Sequence, residues 1–397
     1  MSEGQPLNVP GLRFPEFSGA WEAKSLGDFF TFKNGVNADK SMYGRGRKFI
    51  NVLDVIADAP IYYDNIIGEV DISEDDFSKN EVKFGDVLFQ RSSETREEVG
   101  QSNIYLDTVS ATFGGFVIRG RPTQEIESRY FDALLKTAAV RKDMTSRSGG
   151  STRYNIGQES LEAVAIVVAP TLPEQQKIAA FLSAVDARAA LLRRRREALL
   201  VYKKGVMQRL FSRQLRFAKA DDSAFPDWQE KRLGVVCDIR KGEQLNRDDM
   251  PEGGTYPVVN GGTSPSGYAA QANAKAETIT ISEGGNSCGF VAWQSADFWL
   301  GGHCYAINPK EGGLTKKYLF HLLKYNERGI MRLRVGSGLP NIQKSDLSKL
   351  LLEIPHPEEQ QKIADFLTAL DAKIDAVTAQ LSATQAFKKG LLQQMFV

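Results

Sequence analysis

The sequence predicts an α+β protein that is built twice, and three observations carry the prediction. Glu174-Gln175-Gln176-Lys177-Ile178-Ala179-Ala180-Phe181-Leu182 returns 185 positions later as Glu359-Gln360-Gln361-Lys362-Ile363-Ala364-Asp365-Phe366-Leu367. Lys203-Lys204-Gly205-Val206-Met207-Gln208-Arg209-Leu210-Phe211 returns at the same offset as Lys388-Lys389-Gly390-Leu391-Leu392-Gln393-Gln394-Met395-Phe396. The openings of the halves recur as well: Phe14-Pro15-Glu16 with Trp21 and Leu26-Gly27 matches Phe225-Pro226-Asp227 with Trp228 and Leu233-Gly234.

The first half begins as a mixed α/β globule. Glu81 to Gln90 reads as strand, turn, strand, Gly114 to Arg119 as a further strand, and Tyr130 to Leu135 as a short helix. A long amphipathic helix follows, opening after Pro173, where a missing N–H costs nothing and acidic residues suit the helix dipole. Spaced alternately four and three apart, Ile178, Leu182, Val185, Ala189, Leu192, Arg196, Leu199, Lys203, Val206 and Leu210 form a heptad seam. The second half repeats the plan. Glu277 to Ser282 alternates as a strand, Glu283 to Asn286 turns, Gly289 to Trp293 resumes, and Lys317 to Leu323 is a short helix. After Pro357 the seam returns as Ile363, Leu367, Leu370, Ile374, Val377, Leu381, Thr384, Lys388, Leu391 and Met395, with a lysine at the same place. About forty helical residues reach roughly 60 Å, more than a small globule covers, so the two seams are expected to pack on each other. Gly205 and Gly390 are candidate points of bending. The expected division is 1–169, a first globule; 170–216, a central helix; 217–355, a second globule; and 356–397, a final helix.

Bulk properties fit this plan. A chain of 397 residues with 42% hydrophobic residues suits two or three domains. No apolar run is long enough to span a membrane, and Met1 to Pro10 lacks the pattern of a signal peptide. Cys237, Cys288 and Cys304 do not make a disulfide framework, so a cytoplasmic setting is expected. The net charge of +1 means that any nucleic-acid binding rests on local patches.

With both halves laid out, the chain resembles the specificity subunit of type I restriction–modification systems. The carriers are Pro173 to Ala187, Pro357 to Ile374, the two Lys-Lys-Gly endings, the openings Phe14 to Asp28 and Phe225 to Asp238, Lys83 to Glu94, and Tyr256 to Gly262. The resemblance implies two DNA target-recognition domains separated by two long antiparallel spacer helices in an internal pseudo-twofold repeat. Each domain would read one half of a bipartite, asymmetric sequence in double-stranded DNA. It implies a non-catalytic subunit without a cofactor of its own. Two modification subunits would use S-adenosylmethionine to methylate adenine, and restriction subunits would use ATP and Mg2+. The interface residues implied on the spacer helices are the apolar seam positions Ile178, Leu182, Val185, Leu192, Leu199, Ile363, Leu367, Leu370, Ile374, Val377 and Leu381.

Phosphate contacts need Lys and Arg, and base discrimination needs Arg, Asn or Gln at groove edges. In the first globule Lys40, Arg45, Arg47 and Lys48 form a glycine-interrupted basic loop, and Arg91 and Ser92 follow a strand end. Arg147, Arg153 and Asn155 flank Ser148-Gly149-Gly150-Ser151-Thr152, which corresponds to Gly336-Ser337-Gly338-Leu339-Pro340-Asn341. In the second globule Arg240, Lys241, Asn260, Asn286, Arg334 and Asn341 are the candidates. Each one taken singly also reads as a solvated surface residue. Arg193 to Arg196 point around a whole helix circumference and are expected to be a solvated face or a protein contact.

Enzymatic readings find little support. Asn308-Pro309-Lys310-Glu311 lacks the second proline and the aromatic of a methyltransferase tetrad, and Pro226-Asp227 with Glu230 is a poor nuclease site because it lies inside the duplicated opening. Cys288, His303 and Cys304 lack zinc spacing and are expected in the core, with Trp293 and Trp299. A protein-interaction scaffold with two heads remains the alternative from another class.

Overall fold

A computed structural model describes residues 8–150, 152–246, 248, 250–336 and 340–397. The chain forms two compact units, Met1–Leu192 with Gln380–Val397, and Arg193–Ala379. Each contains one globular head with part of each long helix, Leu172–Phe211 and Pro357–Gln394.

In the first unit a four-stranded antiparallel sheet runs in the order Phe30–Asn34, Val117–Pro122, Val87–Gln90, Ser102–Ile104. Strand alternation sends Phe30, Phe32, Val87, Phe89 and Ile118 to one face. There the helix Ser128–Leu135 covers them with Tyr130, Phe131 and Leu134. Ile178, Leu182 and Val185 from one long helix, and Leu391 from the other with Met395 and Phe396 just past its end, join the same core. The opposite sheet face supports a smaller sheet, in which Tyr43–Ile50 pairs antiparallel with Glu69–Val70 and parallel with Thr112–Phe113.

The second unit repeats this skeleton. Its central order is Cys237–Lys241, Cys304–Pro309, Thr278–Ser282, Val291–Gln294. The helix Lys316–Tyr325 covers one face, and Tyr256–Val259 pairs parallel with Trp299–Leu300 on the other. Even the connection after the parallel pair is the same: Gly114 N–H donates to Ile50 at 3.0 Å, and Gly301 N–H to Val259 at 2.9 Å.

The repeated Glu-Gln pair ties each head to its helix. Glu174, 1% exposed, accepts a forked pair from Arg13 at 2.7 and 2.9 Å and a bond from Trp21 at 3.1 Å. Glu359, fully buried, accepts the same set from Arg216 at 3.0 and 2.8 Å and from Trp228 at 3.1 Å. Each glutamate side chain, hydrogen-bonded to its arginine, holds that guanidinium above its ordinary range. Gln175 accepts from Glu127 N–H and donates to Ala169 O; Gln360 accepts from Thr315 N–H and donates to Pro355 O. A buried carboxylate survives only when charge and lone pairs are satisfied together, which gives the repeated residues their role.

Along the seams every position is buried or half-buried, including Leu199, Leu381 and the two lysines. Within the first unit Lys388 reaches Asp186 at 2.6 Å; within the second Lys203 pairs with Asp371, and Arg196 Nε donates to Thr378 at 3.1 Å. These pairings make the helices antiparallel. They also explain a lysine in an apolar seam, since each one meets an aspartate that recurs at the same 185-residue offset.

Several expectations are corrected. Pro173 is the second residue of its helix rather than the residue before it, although Pro357 does open its own. Both helices run unbroken past Gly205 and Gly390. Val82 forms an isolated bridge to Ala111 rather than a strand. The contacts of Phe14 are divided in the second head: Phe217 takes the edge-on packing, on Phe366 at 6.1 Å as Phe14 on Phe181 at 5.9 Å, while Phe225 takes the lysine, Lys362 lying over it at 5.6 Å as Lys177 lies over Phe14 at 5.2 Å. His303 is exposed, because it lies in a turn before its strand, while Cys288 and Cys304 are buried. Trp293 and Trp299 are half-buried.

Candidate nucleic-acid interface

The residues that bracket the two glycine-serine stretches pair in the same way. Gly149 and Asn155 bond reciprocally at 3.0 and 2.8 Å, as do Val335 and Asn341 at 2.8 and 3.0 Å. The following residues dock on the central strands identically, Ile156 N–H to Arg91 O at 3.0 Å and Ile342 N–H to Glu283 O at 2.8 Å. Gly150, at φ +123°, and Gly336, at φ +98°, fill one register position. A Cβ on Gly150 would lie 2.0 Å from the Arg153 carbonyl, so the turn requires glycine there. Ser151, and Ser337, Gly338 and Leu339, lie outside the described residues.

Different side chains dress these matching pairs. In the first, Arg153 is exposed, Arg147 is bound to Asp143 at 2.9 Å, and Asn155 accepts from Ser92 and donates to Arg153 O. Arg91 is half-buried and donates to Gly115 O at 3.3 Å. In the second, Arg334 and Asn286 are exposed, and Asn341 accepts from Gln343 at 3.0 Å. Glu283 occupies the place of Arg91; it is buried and holds Lys241 at 2.6 Å and the Tyr305 hydroxyl at 2.9 Å. The same bracketing pair can therefore carry different donors and acceptors in the two heads.

The predicted basic loop around Lys40 is corrected to a strand. Arg45, Arg47 and Lys48 lie on Tyr43–Ile50, whose register slips between Tyr43 and Arg47. Gly46, at φ +96°, supplies the bulge, and a Cβ there would come within 2.6 Å of Val70 O. Carboxylates on the neighbouring segment meet these cations: Arg45 with Asp71 at 3.1 Å, Arg47 with Glu74, and Lys48 with Glu69 at 3.3 Å. Arg47 also stacks over Phe77 at 4.0 Å. Lys40 is exposed in the turn before the strand.

In the second head Arg240 is exposed on its strand and donates to Asn273 O at 3.0 Å. Asn260 is half-buried, and its side-chain oxygen accepts from His303 N–H at 3.1 Å, so it shapes the turn beneath it. Arg193, Arg194 and Arg195 are exposed and Arg196 half-buried on the long helix. Among the described residues no group of three His, Cys, Asp or Glu is placed to hold a metal. Burial pushes the Cys237 and Cys304 thiols up to about 12, which leaves them protonated and poorly nucleophilic.

Sequence reasoning overlooked Arg13, Arg216, Asp186 and Asp371, which hold heads and helices together. The aspartates were detectable, being 185 residues apart inside Ala-Val-Asp-Ala and Ala-Leu-Asp-Ala. It also overlooked Lys33, Arg119 and Arg121 on the first central sheet.

A family model described as the type I restriction modification DNA specificity domain matches residues 19–200 and 226–384. A putative type I specificity subunit of Mycoplasma pneumoniae is 29% identical over 43% of this chain and 46% of its own length. A similar protein of Mycoplasma genitalium is 28% identical over 43% of this chain and 45% of its own. The chain thus spans about half the length of these two relatives. The putative type I restriction enzyme MjaX specificity subunit of Methanocaldococcus jannaschii is 25% identical over 94% of this chain and 92% of its own. The crystal structure of an S subunit of a type I restriction-modification system from M. genitalium shares the fold, with a TM-score of 0.67 at 18% identity over 98% of this chain and 99% of that one.

Proposed function

The chain belongs to the type I restriction–modification specificity family, and from that premise we propose that its two heads read the two halves of a bipartite, asymmetric DNA target for partner enzymes. Specificity subunits are non-catalytic, so catalysis lies with the partners. The heads correspond to 1–169 and 217–355, and the spacer helices to 170–216 and 356–397. The observation that carries this reading is the matched pairing around the glycine-serine stretches, one backbone frame bearing different side chains. Such a frame suits two readers tuned to different base edges.

Two modification subunits using S-adenosylmethionine, and restriction subunits using ATP and Mg2+, would dock on the spacer helices. The helix seams would set the length of unread DNA between the half-sites. No described helix is long and apolar enough to cross a membrane.

The test is to co-express the chain with its genomic neighbours and map N6-methyladenine across host DNA. A bipartite motif that vanishes on deletion of this chain is expected, and exchanging residues 1–169 for the first head of another family member should change one half of it only. A motif independent of the chain would instead favour the protein-interaction scaffold.

A further inference from the structure

The central sheets of the two heads put different chemistry at one equivalent spot, on the face turned away from the helix-covered core. In the first head Lys33 pairs across the strands with Arg119, and Leu88 pairs with Arg119 from the other side. In the second, Arg240 and Thr280 flank Ala306 in the same way. Arg119 therefore corresponds to Ala306, and two residues along each strand Arg121 corresponds to Asn308 and Asp86 to Thr278. In the first head the spot is plugged. Arg121 forks onto the buried Asp86 at 3.0 and 2.7 Å and donates to Glu81 O, where Arg119 donates as well. Burial, with the charges of Arg119, Lys79 and Arg121, holds the Lys33 ammonium below its ordinary range.

In the second head a methyl, a carboxamide and a hydroxyl replace two guanidinium groups and a carboxylate. The vacated space is a cleft of about 400 Å³ lined by Arg240, Lys275, Lys316, Asn273, Asn308, Thr278 and alanine methyl groups. Among the described residues no carboxylate lines it. Lys275 is engaged by Asp297 at 3.0 Å, whereas Lys316 has no carboxylate partner among the described residues. Arg240 spends one N–H on Asn273 O, which aims the guanidinium and leaves the remaining donors of its fork.

We propose that this cleft binds a phosphate group, held by Arg240 and Lys316 with the Asn308 carboxamide as a further polar neighbour, and that the first head has no such site because its own Arg121–Asp86 pair fills it. Guanidinium and ammonium groups around a small polar cavity match a phosphate's charge and acceptor oxygens. The phosphate comes either from a DNA backbone, a source that rests on the reading function proposed above, or from a free nucleotide, a source that does not.

The full chain separates these sources by titration with a fluorescent DNA duplex at several salt concentrations and with adenosine monophosphate. Two double variants are compared: Arg240→Gln with Lys316→Gln, and Thr278→Asp with Asn308→Arg, which imports the plug of the first head. For a backbone phosphate, the slope of log affinity against log salt falls by about 1 in both variants, and the nucleotide does not bind. For a free phosphate, the wild-type chain binds the nucleotide and both variants lose it roughly tenfold or more, with the duplex slope unchanged. Nucleotide that fails to bind, together with the wild-type duplex slope retained in variants whose circular dichroism and melting are intact, overturns the site. The first double variant, at two exposed residues, keeps the test valid if the second misfolds. A wild-type chain that binds no duplex counts against the reading function and removes the DNA source; the cleft then stands on nucleotide binding alone and is overturned if the nucleotide also fails to bind.

Discussion

On the helix-facing side of their central sheets the two heads bury matching residues at matching registers: Tyr130 and Tyr318 each sit edge-on to a tryptophan, Trp21 and Trp228, and each tryptophan donates to a buried glutamate. On the opposite side they diverge. The first head fills that layer with Ile50, Ile61, Leu88, Tyr105, Phe113 and their neighbours, while the second has Ala274, Phe298, Leu300, Cys304 and Ala306. Because successive strand residues face opposite ways, one face can keep the frame while the other is rewritten. A duplicated frame thus supports two unlike surfaces.

Breaking the shared side should cost both heads alike. Glu174→Ala and Glu359→Ala each leave a half-buried arginine and a buried tryptophan N–H without their partner, and each is expected to cost about 1.5–3 kcal/mol in urea unfolding; a loss confined to one variant would show that the two clamps are not equivalent. A difference between the heads should appear in acid. His321 takes the place of Ala133 in the helix that covers the sheet, and burial, then the charges of Lys203 and Lys317, push its imidazole down to about 3. Asp371 also faces the ring at 3.9 Å, and Thr368 at 3.3 Å. The unfolded chain binds the proton more readily, so this contribution is complete above the ordinary 6.5 and is lost as pH falls toward 3. Urea unfolding at neutral and acidic pH should show wild type losing on the order of 2 kcal/mol that His321→Ala does not lose; equal losses would clear His321.

Smaller effects sharpen the comparison at the pairings around the glycine-serine stretches. Asn155→Ala and Asn341→Ala should each weaken discrimination by about 1–3 kcal/mol at one half-site only, read as relaxed positions in the methylated motif. Blurring of both half-sites by one substitution would deny the heads their independence. Gly205→Ala and Gly390→Ala, both in the later turns of their helices, meet nothing within 4 Å and should stabilise the protein by about 0.5–1 kcal/mol each. A lower melting temperature for either would mean that the helix needs its glycine.

Much of the frame was legible in the sequence because the long helices carry their pattern locally, at three and four residues, and twice over. The heads were less so. Their sheets join segments such as Phe30–Asn34 and Val117–Pro122 that lie far apart in the chain, and alternation alone does not identify the partner strand. Gly44 and Gly46 interrupted the alternation of Tyr43–Ile50, so a bulged strand read as a loop. Pairing of Arg45, Arg47 and Lys48 with carboxylates at 69–74 was invisible for the same reason, since that register exists only in the folded sheet. The candidate stretches were found from glycine, serine and asparagine at matching places, but their amide partners depend on side-chain directions that spacing does not encode.

The composition of the first unit bears on the order in which the protein can be made. Its core includes Leu391, Met395 and Phe396, with Phe396 against Trp21 and Tyr130, and Leu12 N–H bonds to Gln394 O. The second unit draws on a continuous stretch, Arg193–Ala379. Domains commonly complete in the order of synthesis, yet here the head translated first must wait for residues 391–396, while the head translated second already has its whole core. The first head would leave the ribosome with an open flank around Trp21, and its late closure over a very long loop makes it the half more exposed to chaperones and proteases during biogenesis.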